Sequence, residues 1–353
     1  MLRRIRVLAV SLIAAVIASG ASLPVRGIHM SAPKPDDLPL LLRFIREGAP
    51  KEGVNTLVLE INYRYQYTKH PEVIDADALT KDDLKSIAAA CRQANVKFIP
   101  MINLLGHQSW AKNTFGLLRA HPEFDETPGK YPDNEGIYCR SYCPLNPAVH
   151  EVLFDLIDEL MDVSEADTFH GGMDEVFLLG EDDCPRCRGR LKAGLFADEV
   201  RRIRDHLAQS NRKLWIWGDR LLDGAGTGVG KWEGSFNQTH PAIDQVPKDV
   251  VICDWHYDKA GPTAALFALH GFNVISAPWR KPAVALGQLD LIRSIRANAG
   301  EAVASRMMGI LQTTWGTPAN FIKAYFGETP ADQRSGEVVD CFRRLFAELR
   351  ASQ

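Results

Sequence analysis

Asp174 and Glu175 stand side by side in the stretch "FHGGMDEVFLLG", Phe169–Gly180. Unpaired buried carboxylates are costly, so a pair placed after an apolar run must face a wet cleft or lie in a solvated turn. In a cleft, Glu175 suits proton donation to a leaving oxygen, while Asp174 suits holding a neighbouring group. Sequence neighbours cannot easily flank a bond from opposite sides, as two carboxylates about 5–5.5 Å or about 6.5–9.5 Å apart do in most glycoside hydrolysis. The attacking group must then come from elsewhere. Asp254 or Asp219 could supply it, and so could a 2-acetamido oxygen on the substrate itself.

The aromatic residues point the same way. Trp217, Trp255, Trp279 and Trp315 are four of the chain's seven tryptophans, and they close four consecutive apolar runs. Flat walls with carboxylates between them suit a sugar ring, whose C–H faces are apolar and whose rim carries hydroxyls. Asp219, His107 and Tyr257 fall at similar run ends, and Arg26 lies in the first run.

These residues need elements to hold them. Eight short runs read as strands: 25–30, 54–62, 96–103, 167–172, 213–218, 249–254, 272–277 and 307–314. Most are continuously apolar, as in strands buried on both faces of a parallel sheet. Helical patterns lie between them, with Thr80 as a cap and Pro147 at a helix start. Eight strands each followed by helix or loop predict a single-domain (β/α)₈ TIM barrel over 22–353, with an open doubly wound sheet as the alternative. The connection 104–146 is too long for an ordinary loop and carries Trp110, Tyr131, Tyr138 and Tyr142, so it is expected to cover the active-site face. "GAGTGVG", 224–230, opens no helix and reads as a flexible loop.

Composition narrows the function classes. The 353 residues are 46% hydrophobic and 24% charged, with a net charge of −3. No global field favours nucleic acid or anionic lipid. Arg3, Arg4 and Arg6, the apolar run 7–18 and "SGA" at 19–21 have the layout of a secretory signal peptide over 1–21. Twelve apolar residues are too few for a bilayer, which needs about 20. The expectation is export to the periplasm or the extracellular space, without a membrane anchor.

"HGGMDEV", 170–176, resembles the His-x-Gly-Gly-Asp-Glu signature of glycoside hydrolase family 20, the β-N-acetylhexosaminidases, with Met173 in place of the second glycine. "RG" at Arg26–Gly27 resembles the first-strand arginine that binds sugar hydroxyls. "VNTLVLEIN" resembles the second strand, and "VKFIPMINLLGH" the third, with its active-site histidine at His107. "LWIWGD" and "LQTTWGT" resemble the fifth and eighth strands. The resemblance implies that Asp174 orients the 2-acetamido group and that Glu175 is general acid, then base. It implies an oxazoline or oxazolinium intermediate, net retention and no catalytic cofactor. The chain departs from the family at "HMSAPK", where an Asp is usual, and at "APWRKP", where a Tyr is usual; Tyr257 is the candidate substitute. The resemblance is to a barrel-only member acting on an N-acetylhexosamine-containing glycan. A two-carboxylate glycosidase and a catalytically silent carbohydrate-binding barrel are the competing readings.

The cysteines form a separate motif. Cys139 and Cys143 in "CRSYC", with Cys184 and Cys187 in "CPRC", would complete a four-thiolate structural zinc site or pair as disulfides. Cys91, Cys253 and Cys341 lie in apolar patterns and read as core.

Overall fold

The computed structural model describes residues 22–328 and 332–351; the expected signal peptide, 1–21, lies outside them. Eight parallel strands form a closed barrel: β1 (Val25–Ser31), β2 (Thr56–Glu60), β3 (Lys97–Leu104), β4 (Thr168–Gly172), β5 (Lys213–Trp217), β6 (Val251–Trp255), β7 (Val274–Ala277) and β8 (Met307–Thr313). Their order around the barrel is β1-β8-β7-β6-β5-β4-β3-β2, so each strand pairs with its sequence neighbours and β8 closes on β1. This is the (β/α)₈ architecture that the eight apolar runs predict.

Helices enclose the barrel: α1 (Leu38–Arg43), α2 (Lys81–Gln93), α3 (Pro147–Ser164), α4 (Lys192–Ala208), α5 (Thr263–Leu269), α6 (Pro282–Asn298), α7 (Pro318–Tyr325) and α8 (Gln333–Ala351). Local chemistry sets their starts. Thr80 and Asp83 form a reciprocal capping box at the head of α2. The Asn146 side chain accepts from the amide of Ala148, and Pro147 opens α3.

The strands bury both faces. Ile28, Leu57, Leu59, Phe169, Leu214, Ile216 and Ile252 join the outer core beneath the helices. Val25, Val58, Ile99, Met101, Trp215, Trp217, Val251, Cys253, Trp255, Ile275, Ala277 and Leu311 fill the barrel interior. Each large apolar side chain removed from water stabilises the fold by about 1.5–3 kcal/mol. Alternation along β6 decides a functional point: Cys253 and Trp255 point inward, so Asp254 between them points outward.

The β5–β6 connection carries no long helix. It contains short helical turns at Gly224–Thr227 and Gly230–Glu233 and a 3₁₀ segment at His240–Asp244. The stretch expected to be a flexible loop is therefore largely helical turn. Buried Arg220 organises the second of these turns, donating to the carbonyls of Lys231, Trp232 and Gly234. The long connection after β3 is equally structured. It holds the hairpin Ser109–Trp110/Asn113–Thr114 and a short helix, Gly116–Ala120. Arg140 binds Asp125, Asn134 and the Tyr131 carbonyl within it.

Candidate active site

A cavity of about 690 Å³ opens at the C-terminal ends of the strands. Its lining includes Glu60, Asn62, Asn103, His107, Asp174 and Glu175 on one side, and Trp255, Tyr257, Trp279 and Trp315 on the other. Trp110 and Tyr138 from the long connection and Trp232 from the β5–β6 connection complete the aromatic wall. A parallel barrel brings its active-site residues to this end because every strand finishes there.

The carboxylate edge of the cavity begins where β4 stops. Gly172 adopts φ 63°, and a Cβ there would lie 2.3 Å from the Asn103 side-chain oxygen. Only glycine fits, and this accounts for the glycine before "MDE". Met173 and Glu175 also adopt left-handed backbone, at φ 68° and 50°. Leu105 and His107, on the facing connection, do the same at 63° and 53°. Such conformations are costly for bulky residues and persist only where surrounding contacts hold them. The turn at Asp174 and Glu175 directs both carboxylates to one side chain. His107 Nε2 lies 3.2 Å from Asp174 Oδ2 and 3.1 Å from Glu175 Oε2. Burial acts to lower the His107 pKa, but the two carboxylates outweigh it and hold the imidazole well above its usual range.

Asp174 keeps one oxygen free: Oδ1 is buried and makes no hydrogen bond among the described residues. Glu175 is fixed from behind. Its amide donates to Asp219 Oδ2 at 2.9 Å, and its carbonyl accepts from the Cys139 thiol at 3.6 Å. Asp219 also accepts from Arg220 Nε at 2.6 Å and from the Trp255 indole at 3.2 Å. A single buried carboxylate thus ties the acid turn to the opposite aromatic wall.

On that wall, Trp315 Nε1 donates to the Tyr257 hydroxyl at 2.6 Å. Burial raises the Tyr257 pKa, and the charges of Asp174 and Glu175 add to it, so the hydroxyl stays protonated. Glu233 accepts from the Tyr257 amide at 3.1 Å and contacts His256 at 2.7 Å. Asn62 and Asn103 each donate to Glu60 Oε1 at 2.8 Å.

The structure brings together His107, Asp174, Glu175, Trp255, Tyr257, Trp279 and Trp315. Three expected substrate contacts fall elsewhere. Arg26 is the second residue of β1 and so sits at the closed end, donating to the carbonyls of Leu23 and Gly53. The β1 residue that reaches the cavity is Ser31. Trp217 is buried beneath the cavity, its ring 6.1 Å from that of Trp315 and 4.6 Å from that of His170. Asp219 is 2% exposed with both oxygens engaged, and it positions Glu175 rather than lining the cavity. Asp254 binds His256 and Thr263 on the outer face of the barrel. Trp232 and Glu233 line the cavity without having stood out in the sequence, because they follow a glycine-rich stretch. The signal available was a Trp-Glu pair in a long strand-to-strand connection.

The model for glycosyl hydrolase family 20, catalytic domain, matches residues 57–287. The chain belongs to glycosyl hydrolase family 20. Asp174 and Glu175 fall inside the matched region. A beta-hexosaminidase of Akkermansia muciniphila is 28% identical over 136 residues, covering 37% of this chain and 26% of that protein. Among solved structures, the chitobiase of Flavobacterium johnsoniae is 15% identical with a TM-score of 0.62, covering 94% of this chain and 51% of its own. An exo-β-N-acetylglucosaminidase of Vibrio harveyi, solved with N-acetylglucosamine, is 14% identical with a TM-score of 0.63, covering 93% and 58%. At these identities the structures share the family 20 fold. The chain spans about a quarter of the curated relative and a little over half of these structures.

Proposed function

We propose that this chain hydrolyses terminal β-linked N-acetylhexosamine by a retaining mechanism in which the substrate's acetamido group is the nucleophile. The observation that carries the reading is the free Asp174 Oδ1, buried beside Glu175 at the cavity and suited to accept the acetamido N–H. The alternative nucleophiles are occupied: Asp219 holds the acid turn, and Asp254 faces the helices.

In the first step the acetamido carbonyl oxygen bonds to the anomeric carbon while the glycosidic C–O bond breaks. Glu175 gives its proton to the departing oxygen. Asp174 orients the amide and stabilises the positive charge that develops on it. The Tyr257 hydroxyl, kept protonated and fixed by Trp315, suits the acetamido oxygen. In the second step Glu175 takes a proton from water, whose oxygen attacks the anomeric carbon and reopens the oxazoline. Two inversions give net retention. The aromatic wall excludes water from the ring faces.

Paired aryl glycosides test this. Hydrolysis of the 2-acetamido substrate with none of the 2-hydroxy substrate is expected, as is tight binding of an oxazoline-mimicking thiazoline. Equal turnover of both, or a sugar ester trapped on any carboxylate, would sink the reading. The basic–apolar–small pattern over 3–21 supports export. Among the described residues no helix is long and apolar enough to cross a membrane. Mass spectrometry of the processed N-terminus checks the expected cleavage near Ala21.

A further inference from the structure

Four side chains meet away from the cavity. Glu126 and Cys143 come from the long β3–α3 connection, and Cys184 and Cys187 from the β4–α4 connection. One ligand atom from each lies within 4.8 Å of all the others, and all four residues are buried. Cys143 Sγ is 3.4 Å from both Cys187 Sγ and Cys184 Sγ. Cys139, the fourth thiol expected at this position, contacts the Glu175 carbonyl instead. Glu126 takes its place.

Two observations point to a cation. Glu126 is fully buried, and its Oε2 makes no hydrogen bond among the described residues. Its Oε1 is fixed by the amides of Gly180 and Glu181 at 2.7 and 3.2 Å, so the carboxylate is held in place. A buried carboxylate among three thiols is costly unless a positive charge offsets it. The spacings also suit a metal. Sulfurs about 2.3 Å from a tetrahedral zinc lie about 3.8 Å from one another, close to the 3.4 Å that separates Cys143 Sγ from each of the other two. One S–S bond would use two of the sulfurs and leave the third, with Glu126, uncompensated.

We propose that Glu126, Cys143, Cys184 and Cys187 form a structural zinc site of three thiolates and one carboxylate. Cys-x₂-Cys in a tight turn is a common half of such sites. The amide of Cys187 donates to Cys184 Sγ at 3.4 Å, which helps to hold a thiolate. A closed four-ligand site leaves no position for substrate, so its role is to clamp. The clamp joins the two connections that supply His107 and the Asp174–Glu175 turn. It acts next to a narrow ladder in which the Glu126 amide donates to the Ser141 carbonyl at 3.0 Å and the Cys143 amide to the Phe124 carbonyl at 2.7 Å. The site is independent of the proposed reaction, because none of its ligands lines the cavity.

The test uses the purified full chain, expressed with zinc in the medium. Elemental analysis should find about one zinc per chain, and X-ray absorption should show three sulfurs at about 2.3 Å and one oxygen at about 2.0–2.2 Å. Exchange for Co(II) should produce tetrahedral thiolate absorption bands in the unmutated protein. Cys187→Ser should lower the zinc to below about a tenth per chain, whereas Cys139→Ser should leave it at about one. Should Cys187→Ser fail to fold, the Co(II) spectrum of the unmutated chain decides alone. Absence of metal with two fewer titratable thiols in denaturant would establish a disulfide and overturn the proposal. Equal loss of zinc in Cys139→Ser, or a four-sulfur shell, would overturn the ligand set.

Discussion

At the N-terminal end of the barrel, polar groups are committed to structure. Arg26 donates to two backbone carbonyls, and Glu52 accepts from the Tyr325 hydroxyl and pairs with Arg350. Left-handed residues there, such as Asn95 and Glu165, close helices. At the C-terminal end, Asp174 Oδ1, Asn103 Oδ1 and the Trp279 indole are buried without hydrogen-bond partners among the described residues. Left-handed Leu105, His107, Met173 and Glu175 close no helix. Both ends are built from the same eight strands. One end uses its hydrogen bonds and backbone freedom for stability, and the other keeps both in reserve for a ligand.

Mutations at the two ends should therefore separate activity from stability. On the proposed mechanism Glu175→Gln removes the proton donor and should lower kcat by about 10²–10⁴-fold with the fold intact; near-normal kcat would remove the contrast altogether. Asp174→Asn keeps the shape but loses the charge proposed to face the acetamido group. A loss of about 10²–10³-fold in kcat/KM is expected for 2-acetamido substrates, with thiazoline affinity falling in parallel. Asp219→Asn should loosen the acid turn. A fall of about 10–100-fold in kcat with little change in KM would place Asp219 behind the reaction, whereas a change in KM alone would return it to the substrate.

The mouth also carries a stability term that depends on pH. His256 sits between Asp254 and Glu233, and although burial opposes its charge, the carboxylates raise its pKa from 6.5 to about 10. The folded state therefore binds this proton more tightly than the unfolded state. The stabilisation is complete below about pH 6.5 and is lost as pH rises towards about 10. Melting temperatures measured from pH 6 to 10 should fall less steeply in His256→Gln than in the native protein. The smallest effect is expected at the closed end. Arg26→Gln should cost about 1 kcal/mol and a few degrees in Tm while leaving kcat/KM unchanged. A tenfold loss of activity there would return Arg26 to the substrate.

Much of this architecture is legible in the residues alone. Continuous apolar runs mark the strands because both faces of each are buried, and "HGGMDEV" places the acid turn. Period-two alternation goes further: with Trp255 facing inward, Asp254 has to face the helices. Arg26 misleads because a motif gives the strand but not its end, and its position near the head of β1 is the missing clue. Trp217 sits one layer below the cavity, and depth inside a barrel depends on strand stagger, which sequence does not carry. Glu126 is invisible because an isolated loop glutamate has no spacing signal. Only folding of the long connection brings it to Cys143.

Closure of the barrel has a consequence in time. The His29 carbonyl on β1 accepts from Thr314, just past the end of β8 and 285 residues away. Synthesis at about 5–20 residues per second separates these partners by about 15–60 s. Throughout that interval β1, with Val25, Ile28 and Met30, offers an unpaired edge of the kind that recruits a neighbouring chain. Yield in a cell should therefore depend on how well nascent chains are kept apart while they wait for their last strand.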